Sequence, residues 1–116
     1  MSRSKQFSAP GLPLTPTVFY ILLSIRDRNR HGYQILKEVQ AGSMGKVRLG
    51  PATLYTTLKR LLDGKVISEV EGPALDDPRR RYYKITRLGQ HLLADELTRM
   101  EEALALARRK PAEIST

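Results

Sequence analysis

The residues of this sequence best suited to chemistry are cations and hydroxyls. Arg79, Arg80 and Arg81 stand in a row ahead of Tyr82-Tyr83-Lys84-Ile85. On a helical wheel over residues 51–63, Ala52, Thr53, Thr56, Lys59 and Arg60 share one face, opposite Leu54, Leu58, Leu61 and Leu62. Tyr55 falls at the edge of the apolar face, its ring expected to pack and its hydroxyl to remain free for a phosphate. Guanidinium and ammonium groups suit phosphate and guanine. Threonine suits a base edge or a thymine methyl. The first set reads as a phosphate clamp and the second as a face that can read bases. Catalysis finds no such support. The chain has no cysteine and two histidines, which excludes a disulfide framework, a thiolate metal site and a cysteine nucleophile. His91 and Asp95 have the spacing of a metal pair but no third ligand. Asp76-Asp77 is a carboxylate pair in a turn with no nearby histidine and reads as a solvated tip. No Ser/His/Asp set and no glycine-rich phosphate loop can be assembled, so neither enzymatic activity, a metal nor a cofactor is expected.

Charge supports a polyanionic partner. The 116 residues carry 20 Lys/Arg against 12 Asp/Glu, a net of +8. Residues 1–87 hold 16 of these bases and 7 of the acids, leaving +9, while residues 88–116 hold 4 and 5, leaving −1. The first three-quarters of the chain therefore faces nucleic acid, and the rest has another task. With 41% hydrophobic and 28% charged residues, the composition is that of a globular domain able to build its own core. No apolar stretch approaches about 18 residues, and the basic start lacks an apolar signal core. A cytoplasmic protein without membrane contact is expected.

These side chains need elements to hold them. Residues 1–14, rich in Ser, Pro and Gly, read as a flexible arm, in which Arg3 and Lys5 could trail across DNA. Thr15-Pro16 is an N-cap followed by proline at the first helical position, and the pattern predicts a helix over about 15–28. Asp27–Arg30 reads as a charged turn. Gly32 opens a second helix with Tyr33, Ile35, Leu36 and Val39 on one side and Gln34, Lys37 and Glu38 on the other; Gly42 and Gly45 end it. Val47–Leu49 could be a very short strand. Gly50-Pro51 opens a third helix, which ends at Asp63 with Gly64 as a left-handed cap. Val66–Glu71, with Val66, Ser68 and Val70 facing one way, and Arg81–Ile85, with Tyr83 and Ile85 inward and Tyr82 outward, form a hairpin with an acidic tip. Thr86 caps a last helix to about Arg109. Along it Leu93, Leu97, Met100, Leu104 and Ala107 are spaced 4, 3, 4, 3, a short heptad seam suited to a second copy of the chain. The fold class is mainly α with a small β-hairpin wing. It comprises a winged helix-turn-helix domain over 15–86, a dimerisation helix over 87–110 and a tail over 111–116.

Three segments, HGYQILKEV, PATLYTTLKRLLDGKVI and RRRYYKITRLGQ, resemble the PadR family of transcriptional regulators. The resemblance rests on Gly32-Tyr33, Thr53-Leu54-Tyr55, Leu58, Arg60-Leu61, Gly64, Ile67, Arg80, Tyr82-Tyr83, Ile85-Thr86 and Gly89, and covers residues 12–107. The family commonly has proline after Thr-Leu-Tyr; here Thr56 takes that place, a variant found in the short subfamily. The single terminal helix is similar to that subfamily as well. The resemblance implies a homodimeric repressor that binds a double-stranded DNA operator, with an effector, where there is one, acting by changing the spacing of the two heads. In drug-binding relatives a tryptophan stacks on the ligand in this part of the helix. Here Met100 is the candidate wall of an effector pocket. Two rival readings stay open: a winged-helix module that binds protein, and a small-molecule scaffold with weak DNA contacts.

Overall fold

The computed structural model describes residues 10–109. Helix α1 (Pro16–Ile25) begins as expected: Thr15 Oγ1 accepts a hydrogen bond from Val18 N–H, and Pro16 fills the first position. Proline is favoured there because its missing N–H would have had no helical partner. The helix stops at Ile25, short of the expected residue 28, because the chain turns out to pair as a strand. That strand, β1 (Arg30–His31), begins at the last residue of the expected charged turn and had no sequence signal. Helix α2 (Gly32–Gly42) starts in a capping box. His31 Nδ1 accepts from Gln34 N–H at 3.3 Å, and Gln34 Oε1 accepts from His31 N–H at 3.0 Å. The expected strand at Val47–Leu49 does not form; Val47 N–H is instead taken by the Ser43 hydroxyl at 2.9 Å.

Helix α3 (Pro51–Asp63) has the predicted limits, but its termination differs from expectation. Gly64 has φ −83°, and the left-handed residue is Lys65, with φ 64°. Lys65 N–H bonds to the Leu62 carbonyl and Val66 N–H to that of Leu61, each at 3.0 Å. This is a Schellman motif set one residue later than the glycine suggests. Strands β2 (Ile67–Val70) and β3 (Tyr82–Ile85) form the wing, and the sheet order is β1-β3-β2, all antiparallel. Helix α4 (Arg87–Ala107) follows, capped by Thr86 and ending just before the expected Arg109.

One core joins these elements. Ile21, Leu22 and Ile25 of α1 are buried with Ile35 and Val39 of α2 and Leu54, Leu58 and Leu61 of α3. The wing contributes Ile67, Tyr83 and Ile85. Ile67 opposes Ile85 in the register and takes the core side with it; Ser68 and Val70, expected to share a face, lie on the other. Tyr83 faces inward as expected. Tyr82, expected outside, is also buried, covered on the opposite face by the wing loop at Gly72 and by the His31 ring. Tyr33, expected on the same side of α2 as Ile35, Leu36 and Val39, is 63% exposed.

Two further differences concern the ends. Residues 1–9, with Arg3 and Lys5, lie outside the described residues, as do 110–116. Leu14, assigned to the arm, is a core residue, so packing begins before Thr15. Beside its backbone lies the carboxylate of Glu96, which is 1% exposed and held by Arg99 through two bonds of 2.9 Å. Leu93, expected in the seam, is buried in the head.

Gly89 lets α4 press against the hairpin: a Cβ there would overlap the Val66 carbonyl and crowd Ile85. Gly89→Ala should lower stability by about 1–3 kcal/mol, despite alanine's higher helix propensity. Denaturant unfolding of this variant beside Gly50→Ala, where nothing lies within 4 Å, tests the docking; equal midpoints would contradict it.

Candidate nucleic-acid interface

The periodicity of α3 divides it. Leu54, Leu58 and Leu61 are buried, while Ala52, Thr53, Thr56, Lys59 and Arg60 are all exposed, as the wheel indicated. Tyr55 is half exposed, and its hydroxyl end rests on Gly32 at the start of α2, where a side chain would leave it no room. Lys59 reaches Asp63 one turn on, at 3.7 Å. Among the described residues Arg60 has no carboxylate within 4.0 Å. It lines a cleft of about 450 Å³ with Thr53, Thr57 and the segment leading into α1.

The wing arginines are differently placed. Arg79 forks onto Asp77, with Nε at 3.2 Å and Nη2 at 3.1 Å. Arg80 Nη1 meets Asp76 at 3.2 Å, and Arg81 Nη1 meets Glu69 across the hairpin at 2.7 Å. Residues 67–85 contain four acids and four bases. The stem is thus neutral as a unit, and the positive charge lies in residues 1–66, with 11 bases and 3 acids, and at Arg87. A sequence row of arginines did not reveal this, because Glu69 becomes a neighbour of Arg81 only through strand pairing. The wing stem and α3 do converge: Arg79, Arg80, Arg81 and Tyr55 line a shared cleft of about 420 Å³ with His31, Gly32 and Tyr33.

His31 sits where these parts meet, and the sequence reading passed over it. The signal was present: His31 and Gln34 have the spacing of a capping box ahead of an apolar run. With Nδ1 accepting from Gln34, the neutral ring carries its proton on Nε2, 3.4 Å from Arg80 Nη1. Tyr82 stacks edge-on with centroids 5.3 Å apart. Tyr82 Oη donates in turn to Asp76. That bond, more than any other influence, holds the Asp76 carboxyl below the usual range and pushes the Tyr82 hydroxyl up. Burial and the Arg80 charge hold His31 below its ordinary value; Asp76 opposes them.

On α4, Leu97, Met100 and Leu104 are 38%, 36% and 49% exposed, and Ala107 is exposed with them. Among the described residues nothing covers this strip. Met100 lies on it and lines none of the clefts described above. His91 and Asp95 are exposed on the same helix. Among the described residues no cluster of three or more His, Asp and Glu could hold a metal, and no helix is long and apolar enough to cross a membrane.

Three helices, a three-stranded sheet with a wing, and an exposed polar face on the third helix define a winged helix-turn-helix protein. Residues 21–95 match the transcriptional regulator PadR-like family; the chain belongs to this family. A Lysinibacillus sphaericus protein, described as uncharacterised, is 35% identical over 75 residues, covering 65% of this chain and 69% of its own. Among solved structures, a PadR family transcription regulator from Clostridium difficile superposes with TM-score 0.67 at 22% identity, covering 79% of this chain and 94% of that one. A transcriptional regulator from Clostridium thermocellum gives 0.65 at 23%, covering 78% and 85%. Bordetella bronchiseptica BpsR, whose DNA binding is regulated by 6-hydroxynicotinic acid, gives 0.61 at 22%, covering 94% and 77%.

The His31 cap yields a pH dependence. Its folded value lies below the unfolded one of about 6.5, so the unfolded chain binds the proton first. Stability should fall as pH drops below about 6.5, until the folded ring protonates too. His31→Asn keeps a cap without titrating. Unfolding midpoints between pH 7.5 and about pH 5 should decline less in this variant; identical slopes would show that His31 does not contribute.

Proposed function

We infer that this protein is a homodimeric, sequence-specific DNA-binding repressor of the cytoplasm. The observation that carries the reading is α3: its apolar face is spent in the core, which leaves Thr53, Thr56, Lys59 and Arg60 on an exposed face within the chain's positively charged part. Such a helix enters a major groove and reads base edges with residues near its start and middle. Residues 15–86, with Leu14 docked, form the head. Helix α4 (Arg87–Ala107) is the dimerisation helix. Tyr55 and the wing arginines Arg79, Arg80 and Arg81 meet backbone phosphates beside the groove.

The dimer reading rests on the uncovered strip of α4. Leu97, Met100, Leu104 and Ala107 repeat at heptad spacing, and a second copy of the helix is the simplest cover. Two heads joined this way fit half-sites one helical turn of DNA apart, or a multiple. Any effector would act on that spacing, and Met100 would wall its pocket only once two subunits meet. BpsR shows that a structural neighbour is ligand-regulated.

A footprint on the DNA upstream of the protein's own gene tests the reading. Bound duplex should be released by salt with a log–log slope of about −5 to −7 for a dimer neutralising three or four phosphates per subunit. A protein that holds no duplex at low salt is instead a protein-binding module. Thr56→Ala or Arg60→Ala should reduce discrimination between the protected site and scrambled DNA by about 1–3 kcal/mol per lost base contact. Equal losses on both DNAs would remove base reading from α3.

Leu97→Arg or Leu104→Arg places a charge in the seam and should give monomers with folded heads in sedimentation. An unchanged dimer would place the interface elsewhere.

A further inference from the structure

The pairing of each wing arginine with a carboxylate of the wing itself has a consequence for binding strength. Arg79, Arg80 and Arg81 are exposed to solvent, as charges meant for a partner should be. Yet Asp77, Asp76 and Glu69 already stand at hydrogen-bond distance from them. Arg79 is held in the two-pronged geometry in which guanidinium binds any planar or tetrahedral oxyanion. Arg79 also bonds Asp77 through its backbone N–H, at 2.9 Å, so the carboxylate is built into the turn. Arg79 in turn holds the Asp77 carboxyl below the usual range, so it stays charged throughout the neutral range.

Resting on the DNA-binding reading, we propose that Glu69, Asp76 and Asp77 are affinity-determining residues. They occupy the oxyanion positions of the wing arginines, and a DNA phosphate must displace them. Exposed pairs of this kind are weak, so exchange is rapid and the arginines remain available once α3 is seated. Until then the wing presents no net charge to a passing duplex. After exchange the displaced carboxylates lie next to the phosphates and repel them. Both effects lower affinity for any sequence. The attraction that brings the protein to DNA then comes from residues 1–66, and the wing adds to it only by exchange.

The test uses the full-length protein and a random-sequence duplex, titrated at several salt concentrations. Glu69→Gln with Asp77→Asn leaves the Asp76–Tyr82–His31 contacts in place, and unfolding midpoints check that the head is intact. This variant should bind about three- to tenfold tighter at low salt. Its salt slope should be steeper by up to about 2 per head, since no displaced carboxylate remains beside the phosphate to offset each arginine's charge. Asp76→Asn alone, which frees Arg80, should shift affinity the same way by a smaller factor. The reference variant Asp95→Asn with Glu102→Gln removes the same charge from exposed positions of α4 and should change affinity less than about twofold. Unchanged or weaker binding by Glu69→Gln with Asp77→Asn overturns the proposal, and so does an equal gain in the α4 variant. If the unaltered protein binds no duplex at all, the underlying DNA-binding reading fails first and takes the proposal with it.

Discussion

Strand β3 is the constraint on which the interface depends. Its four residues pair on one edge with β1 and on the other with β2. The wing is therefore not a free hairpin: it is fixed to the residue that caps α2. Tyr83 and Ile85 anchor the strand in the core beneath α1 and α3, and Tyr82 anchors its other face beneath the wing loop. An isolated two-stranded hairpin is marginal in water. A third strand of two residues and a buried tyrosine on each face make this one a defined part of the head. The distance between the wing stem and α3 follows from that pairing, as does the cleft between them.

Electrostatics divides the head differently from shape. The wing has the form of a clamp, but its bases are matched by its acids. The unbalanced charge lies in the helices and loops before it, where Arg60 on α3 is free of carboxylate partners among the described residues. Contacts running from Asp76 through the Tyr82 hydroxyl to the edge-on His31 ring link the wing loop to the start of α2. Movement of the loop is thereby coupled to the cap of the helix that supports Tyr55. Ion exchange on the wing and the order of the helix-turn-helix are parts of one local structure.

Helix α4 has two halves. Its first half belongs to the head: Gly89 lies against Val66, Leu93 is in the core, and Glu96 holds Arg99 beside the backbone of Leu14. From Leu97 onward the helix leaves the head, and residues 101–109 are all exposed. A buried carboxylate needs partners to offset its lost hydration. Glu96 has such a partner in Arg99, bound by two hydrogen bonds, and lies against the segment that leads into α1.

The sequence by itself determined whatever depends on short-range periodicity and local chain chemistry. Apolar spacing defined the four helices. Thr15-Pro16, Gly50-Pro51 and Thr86 marked their starts, and the opposite faces of α3 separated core from surface. These signals are local because helix caps and faces are set by residues within a few positions of one another. Tertiary structure decided the rest. Arg30–His31 became a strand because β3 lay open beside it, and Tyr82 was buried because the wing loop folded over it. Leu93 left the seam for the core, and Lys65 took the left-handed turn that a neighbouring glycine had suggested. Glu96 met Leu14 from 82 residues away, and Glu69 met Arg81 across a hairpin. Composition gave the total charge correctly but could not show which arginines were already paired. Pairing depends on distances in space, and only the fold brings those carboxylates within reach.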